Sequence, residues 1–200
     1  RSLPTSFLNI MQWYMPALIP IKKDEKKRKS ENNFYFDLHI YDTDFLSAIF
    51  DIPVKIYTHS TIKGYFNDES SRLRVEGYFP RMRYKTKFIE SAMLLCENPH
   101  NQMRASLRFT NRKSSDAINI SIEASAQKDS IQTILNWGNS AGTTYSGQLS
   151  ALACLVNEQH PTESSTQSMY AEKTPLKTVI DIQPTEIILN DTLWEIHPSE

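Results

Sequence analysis

Residues 72–87 read RLRVEGYFPRMRYKTK, a run in which cations and bulky apolar residues alternate. Up to Phe79 the apolar side chains occupy odd positions, and after Pro80 they occupy even positions, as at Met82. A period of two predicts a half-buried strand, and proline cannot donate a hydrogen bond to a neighbouring strand. The stretch therefore predicts a strand with a one-residue slip at residues 79–81, which keeps one face apolar and the other cationic through a bend.

The same alternation recurs along most of the chain. Turn-forming clusters separate the alternating runs at intervals of roughly 10–15 residues, which is typical of an antiparallel meander. We therefore expect a mostly β protein: an antiparallel, meandering, curved sheet, shaped as a groove or β-taco, with one N-terminal helix and one short helix. The alternating runs are residues 34–40, 52–56, 62–66, 103–109, 118–126, 131–137, 145–153 and 176–182.

Two segments have the spacing of helices. The first begins after a cap at Thr5 or Ser6, ends near Tyr14 before Pro16, and carries an apolar stripe made of Phe7, Ile10, Met11 and Tyr14. The second begins after a cap at Asp42 or Thr43, stops before Pro53, and is expected to bury Leu46, Ile49 and Phe50.

Composition divides the chain into five parts. Residues 1–20 form a helical lead-in, and residues 21–33 form a basic, polar linker whose alternative role is contact with anionic lipid or acidic protein. Residues 34–156 form the β-meander, residues 157–175 a polar loop expected to be disordered, and residues 176–200 continuing strands. Both ends read as cut, so we expect a fragment of a longer protein.

The sequence carries no recognisable catalytic, cofactor or metal motif. It has 200 residues, a formal net charge of −1 and only five glycines, with no glycine-rich phosphate loop and no nucleophile elbow. None of the five histidines stands at metal-ligand spacing from another. We therefore expect a protein that is not an enzyme and that needs no cofactor or metal.

The residues raise two further possibilities, a disulfide and a nucleic-acid platform. Cys96 and Cys154 lie in apolar runs, which favours two small buried side chains, with a disulfide in an oxidising compartment as the alternative. A nucleic-acid platform would need aromatic residues on the cationic face, but the candidates divide between both strand faces. No nucleic-acid partner is expected. The candidates are Tyr65, Phe66, Tyr78 and Phe79, beside Arg72 and Arg74.

The apolar face contains many small residues, among them Gly64, Gly77, Ala151 and Ala153. Two short helices are too few to cover a sheet of about ten strands, so the sheet can curl around its own apolar face and leave a groove. The predicted lining residues are Leu73, Val75, Phe79, Met103, Ala105, Leu107, Phe109, Ile118, Ile120, Ile122 and Ala124.

Three segments resemble a known family. They read LRVEGYFPRMRYKTKFIESAMLLCENPHNQMRASLRFTNR from residue 73, IQTILNWGNSAGTTYSGQL from residue 131 and PTEIILNDTLWEIHPS from residue 184. They are similar to the periplasmic part of TamB-like proteins of the Bacteroides group, within the wider AsmA-like, bridge-like lipid-transfer class. The likeness covers most of residues 33–200, whereas the opening helix and the loop 157–175 have no counterpart.

The resemblance implies an inner-membrane anchor upstream of this fragment and a hydrophobic β-groove across the periplasm. It also implies a role in outer-membrane biogenesis, either passing phospholipids between membranes or assisting outer-membrane protein assembly. The partners would be phospholipid acyl chains and an outer-membrane β-barrel protein. No catalytic residue is carried over, and the fragment is expected to form homodimers through its strand edges.

The alternative is an extracytoplasmic β-sandwich module that binds protein or glycan. The two hypotheses differ at Ile118, Ile120 and Ile122, which line an open cleft in a groove but are sealed against a second sheet in a sandwich.

Overall fold

The structure is a computed structural model that describes residues 11–18, 33–44, 53–67, 70–99, 102–113, 116–139, 145–157, 176–183 and 185–197. Residues 11–14 and Asp44 are helical, Pro99 has 3-10 geometry, and the other described elements are strands. The strands are β1 (Asn33–Ile40), β2 (Val54–Ile56), β3 (Ser60–Asn67), β4 (Arg72–Tyr84), β5 (Lys87–Glu97), β6 (Met103–Lys113), β7 (Asp116–Gln127), β8 (Ser130–Asn139), β9 (Ser146–Asn157), β10 (Leu176–Ile182), β11 (Thr185–Leu189) and β12 (Thr192–Ile196).

All twelve strands belong to one antiparallel sheet that follows chain order. Strands β2 and β3 share one edge of β4, and strands β10 and β11 share one edge of β9, so each pair acts as one bent strand. The mostly β, antiparallel and meandering fold expected from the sequence is confirmed. Among the described residues no second sheet is stacked on the first.

The predicted helices are described in part. The first ends at Tyr14 as expected, and Phe7 and Ile10 lie outside the described residues. At the second, the backbone N–H of Asp44 donates to Asp42 Oδ1 at 2.7 Å, which is a capping contact, while residues 45–52 lie outside the described part. The proposed linker and polar loop also fall outside it, except at Asn33 and Asn157, where β1 begins and β9 ends.

A slip in both strands bends the β4–β5 hairpin. Phe79 pairs with Ala92 and Arg81 pairs with Glu90, so Pro80 lies opposite Ser91, whose φ is 51°. The register between β5 and β6 shifts at this place, between Glu90 and Met93. The slip expected at residues 79–81 is therefore present, and β5 compensates for it by slipping together with β4.

After the slip the apolar residues return to one face of the sheet. Met82 pairs with Ile89, and Ile89 pairs with Asn111, which lies on the same face of β6 as Leu107 and Phe109. Arg81 and Arg83 consequently point to the opposite side. We call the face that carries Leu107 and Phe109 the inner face, and the face that carries the arginines the outer face.

The helical turn covers one end of the inner face. Tyr14 is 7% exposed and Met15 is 1% exposed, and they pack with Phe66, Leu73 and Met103. Residues from the first to the ninth strand contact this cluster, from Phe34 of β1 to Leu155 of β9. In a flat sheet these strands would lie about 34 Å apart, seven spacings of about 4.8 Å. The sheet must therefore curl around the cluster, with the inner face concave.

Hydrogen bonds fix the turn to this end of the sheet. Asp129 donates its backbone N–H to the carbonyl oxygen of Tyr14 at 2.9 Å, and its carboxylate accepts the N–H of Ala17 at 2.7 Å. Asn98 Nδ2 donates to the Tyr14 hydroxyl at 3.1 Å. We call this the helix end, and the opposite end, which carries the β4–β5 turn at Lys85, the far end.

Candidate functional site

Strand register places the predicted lining residues on the inner face in transverse rows. Directly paired residues of an antiparallel sheet point to the same side, so each row can be followed from strand to strand. One row is Val75, Cys96, Ala105, Ala124, Thr133 and Ala151, and the next is Leu94, Leu107, Ile122, Leu135 and Leu149. A third row towards the far end contains Phe109, Ile120, Trp137 and Gly147.

The predicted lining residues differ in how far they are covered. Leu73 and Met103 are each 7% exposed and pack beneath Tyr14 and Met15, so they form the floor of the helix end and present little open surface. The other nine are half-buried, including Ile118, Ile120 and Ile122. These isoleucines are not sealed against a second sheet among the described residues, which is the arrangement expected for a cleft.

The inner face is uniformly apolar in these three rows. None of their members carries a charge, and Thr133 is the only hydroxyl among them. Burial raises the pKa of the Cys96 thiol, and the neighbouring carboxylate of Glu97 raises it further. The thiol therefore stays protonated and adds another apolar group to the wall.

Aromatic rings lie flat on this face because glycines leave room for them. A Cβ atom at Gly147 would collide with the Trp137 indole, and one at Gly64 would lie 2.5 Å from the Phe36 ring. Each ring therefore covers the backbone of the next strand instead of projecting away from the sheet. This packing adds apolar surface and keeps the two rings close to the sheet.

The two cysteines point to opposite sides of the sheet. Cys96 pairs with Ala105 on the inner face, whereas Cys154 is on the outer face opposite Ser130, whose hydroxyl lies 3.6 Å from its sulfur. Side chains that project from opposite faces of one sheet cannot form a disulfide without movement of the backbone. The disulfide alternative is therefore excluded within this chain, and both thiols are free.

The outer face is a lattice of exposed cross-strand ion pairs. Arg74 contacts Glu97 at 2.6 Å, Arg108 contacts Glu123 at 3.0 Å, and Arg112 contacts Glu90 at 3.1 Å. Exposed pairs of this kind each contribute about 0–1 kcal/mol, so their main effect is to keep this face solvated.

The aromatic residues of the possible nucleic-acid platform are divided as expected. Phe66 is 2% exposed in the core and Phe79 is half-buried on the inner face. Tyr65 and Tyr78 remain on the outer face, 40% and 42% exposed. Two of the four rings are thus unavailable for stacking with bases.

Sequence spacing missed one contact between histidines. His39 Nδ1 lies 2.8 Å from His59 Nε2, and Asp37 Oδ1 lies 3.2 Å from His39 Nε2. The ring planes differ by 8° and the centroids are 5.0 Å apart, the separation expected when a hydrogen bond joins two coplanar rings edge to edge. The pairing of β1 with β3 brings the two histidines together, so the contact could be predicted only if that pairing were known. No group of three metal-binding side chains occurs among the described residues.

A polar depression of about 610 Å³ lies where β9 meets β11 and β12. Amide, hydroxyl, carboxylate and imidazole groups line it, and they offer hydrogen bonds instead of apolar surface. Its residues are Gln148, Ser150, Gln183, Thr185, Glu186, Glu195, Ile196 and His197.

The described part of the chain contains no helix long and apolar enough to cross a membrane. Comparisons with protein-family models, with curated proteins and with solved structures find no match to this chain.

Proposed function

We propose that this chain is a non-catalytic section of a TamB-like envelope-biogenesis protein and that its inner face binds phospholipid acyl chains. The observation that carries the proposal is the continuous, uncharged apolar surface that crosses the inner face from β4 to β9. A surface of this kind fits an acyl chain because each methylene moved from water to an apolar wall gains about 0.8 kcal/mol.

The rows also favour movement of the bound chain. Neighbouring rows are chemically alike, so successive positions of an acyl chain differ little in free energy. The flat aromatic rings over Gly64 and Gly147 place no barrier across the path. Lipid would therefore slide along the face, and any preference for a head group would arise at the rim, where polar side chains begin.

This function places the chain in the periplasm, in a protein anchored to the inner membrane. There it would pass phospholipid to the outer membrane or assist the assembly of outer-membrane proteins with a β-barrel partner. The support for this location is the resemblance of residues 73–112, 131–149 and 184–199 to TamB-like proteins.

Site-specific photo-crosslinking tests the lipid-binding face. Ile120 and Asn119 are neighbours in β7 that point to opposite faces, inner and outer, so they form a matched pair. A benzophenone amino acid at position 120 is expected to crosslink phospholipid in cells, and the same group at position 119 is expected to stay unlinked. Equal labelling at both positions, or none at position 120, would contradict the proposal.

Mass spectrometry of lipids that co-purify with a longer native chain provides the second test. Ile122→Asp places a charge in the apolar wall and is expected to remove the lipid. Ser121→Asp places the same charge on the outer face and is expected to leave the lipid bound. If neither the native protein nor the Ser121→Asp variant carries lipid after purification, the proposal is overturned.

A second candidate function is glycan binding at the polar depression. Its amide, hydroxyl and carboxylate groups match the hydrogen-bonding needs of sugar hydroxyls. A glycan-array screen with a Glu186→Ala control tests it. Signals that persist in the variant, or no signals at all, would rule out this site.

A further inference from the structure

Exposed cations collect at the far end of the sheet. Arg81 and Arg83 lie on the outer face near the β4–β5 turn, Lys85 forms the turn with a φ of 55°, and Lys87 follows it. Arg81, Lys85 and Lys87 are exposed, and Arg83 is half-buried. We call these four residues the basic hairpin.

Aromatic side chains stand among these cations. Tyr57, Tyr84 and Phe88 are 41%, 43% and 38% exposed, although aromatic rings are usually better covered in a folded domain. The Arg81 guanidinium lies 5.2 Å from the Phe88 ring centroid, and Arg83 lies 5.8 Å from that of Tyr57. The Lys85 ammonium lies 5.5 Å from the ring centroid of Tyr84.

The basic hairpin differs from the ion-paired part of the outer face in its charge balance. Arg81 and Arg83 lie on the outer face, whereas Lys87 pairs with Tyr84 on the inner side, not on the cationic face that the alternation predicted. Elsewhere Arg74, Arg108 and Arg112 each contact a glutamate. In the part of the chain that the structure describes, the four cations of the basic hairpin contact no carboxylate. Lys55 beside them contacts Asp44 at 2.7 Å, and Glu90, which pairs with Arg81 across the hairpin, contacts Arg112 instead.

Mixed cations and aromatic rings match the interface of an anionic bilayer. Lysine and arginine are attracted to anionic head groups, and tyrosine and tryptophan prefer the head-group level. Single-stranded nucleic acid would instead need free ring faces for stacking, but here the rings of Tyr57, Tyr84 and Phe88 already have cations of the chain above them.

The position of the basic hairpin connects it to the inner face. Ile56, Met82 and Ile89 pair with one another on the inner side, so the apolar surface continues towards the far end on β2, β4 and β5. On β6 and β8 the same row contains Asn111 and Asn139. The helix end, by contrast, is covered by Tyr14 and Met15. Among the residues that the structure describes, none covers the far end, so a membrane there would adjoin the open end of the rows.

We infer that the basic hairpin docks this chain on an anionic phospholipid surface and so sets the far end of the inner face against the bilayer. This inference rests on the proposed lipid-handling function, because docking would serve lipid transfer. Docking is measured by vesicle binding and the proposed function by lipid uptake, so the two can fail separately.

Vesicle binding of the full chain tests the charge contribution. The protein is expected to bind vesicles that contain phosphatidylglycerol and to bind phosphatidylcholine vesicles weakly. Lys85→Ser with Lys87→Ser is expected to weaken binding about thirtyfold, because each cation near such a surface contributes about 1 kcal/mol. Arg72→Ser with Arg104→Ser removes the same charge at the helix end and is expected to change binding less than about threefold. Equal losses in the two variants would overturn the inference.

A fluorescent reporter tests whether the hairpin enters the head-group region. Tyr84→Trp is expected to give blue-shifted emission with phosphatidylglycerol vesicles. Tyr65→Trp, on the outer face towards the helix end where Tyr65 pairs with Arg74, is expected to show no shift. Unchanged emission from both reporters would contradict docking at the hairpin. Tighter binding to heparin or poly(A) than to the vesicles would instead identify a polyanion-binding surface and overturn the inference.

The outcomes separate this inference from the proposed function. Ile122→Asp is expected to lose co-purified lipid while it keeps vesicle binding, because position 122 lies on the inner face in the middle of β7. Vesicle binding by a native chain that takes up no lipid would contradict the proposed function and leave the docking surface intact.

Discussion

The backbone N–H of Asp129 donates to the carbonyl oxygen of Tyr14 at 2.9 Å, and this contact joins the β7–β8 turn to the helical turn. The Asp129 carboxylate completes the connection by accepting the N–H of Ala17. Both turn residues, Lys128 and Asp129, have positive φ, 49° and 60°. Paired positive φ values are typical of a tight hairpin turn whose twist matches the adjoining strands.

Asp129→Gly is expected to lower the free energy of unfolding by about 1 kcal/mol. The lost charge-assisted hydrogen bond outweighs the relief of left-handed strain at this position. Lys128→Gly is the matched control, because it relieves the same strain without removing a contact to Ala17, and it is expected to leave stability unchanged or slightly raised. Denaturant unfolding of both variants measures the difference, and equal effects would show that the carboxylate does not stabilise the fold.

Gly147→Ala is expected to destabilise the sheet by about 1–3 kcal/mol, since its methyl group would collide with the Trp137 indole. Gly138→Ala, on the neighbouring strand, is the control because its nearest neighbour would lie at an ordinary 3.7 Å. Thermal unfolding measures both, and Trp137 fluorescence reports whether the ring is displaced. A Gly147→Ala protein as stable as the Gly138→Ala protein would contradict the close packing of this ring.

The raised pKa of the Cys96 thiol predicts a loss of stability at alkaline pH. The unfolded chain releases the thiol proton near its ordinary pKa of 9.0, whereas the folded chain holds it to higher pH. As pH rises through this window the unfolded state is favoured, so the free energy of unfolding falls. Denaturant unfolding from pH 7 to pH 10 is expected to show a smaller decline in Cys96→Ala than in the native chain. Identical declines would show that the thiol is not desolvated.

Alternation along the sequence predicted the strands and their faces well, because a period of two determines on which side each residue lies. The slip at residues 79–81 was also predictable, since Pro80 cannot continue the ladder. Alternation does not show which distant segment covers a residue. For this reason Leu73 and Met103 were predicted to line a groove, whereas Tyr14 and Met15 pack on top of them.

Other features depend on strand pairing and turn geometry, which the sequence indicates only weakly. The contact of His39 with His59 exists because β1 pairs with β3 and passes over β2 in chain order. The turn at Lys128–Asp129 lacks glycine, the residue that usually indicates a positive φ in a sequence. The connection from Asp129 to the helical turn was accordingly not foreseen.

Strand β12 is expected to cause association of two copies of the chain. It ends the row of paired strands, and Leu193 and Trp194 are 53% and 58% exposed on opposite faces. An edge strand with unpaired backbone groups and apolar residues on both faces favours pairing with a strand of another molecule. The other terminal strand, β1, is better protected because the carboxylate of Asp37, which contacts the Lys63 ammonium at 3.2 Å, lies along it.

Leu193→Lys is therefore expected to shift the chain towards monomer, because a charge on an edge strand opposes pairing. Tyr35→Lys introduces the same charge on β1, where the native side chain is 67% exposed, and is expected to leave association unchanged. Sedimentation over a range of concentrations distinguishes the two edges. Association that weakens only in the Tyr35 variant would assign the contact to β1, and a native chain that stays monomeric at high concentration would contradict edge pairing altogether.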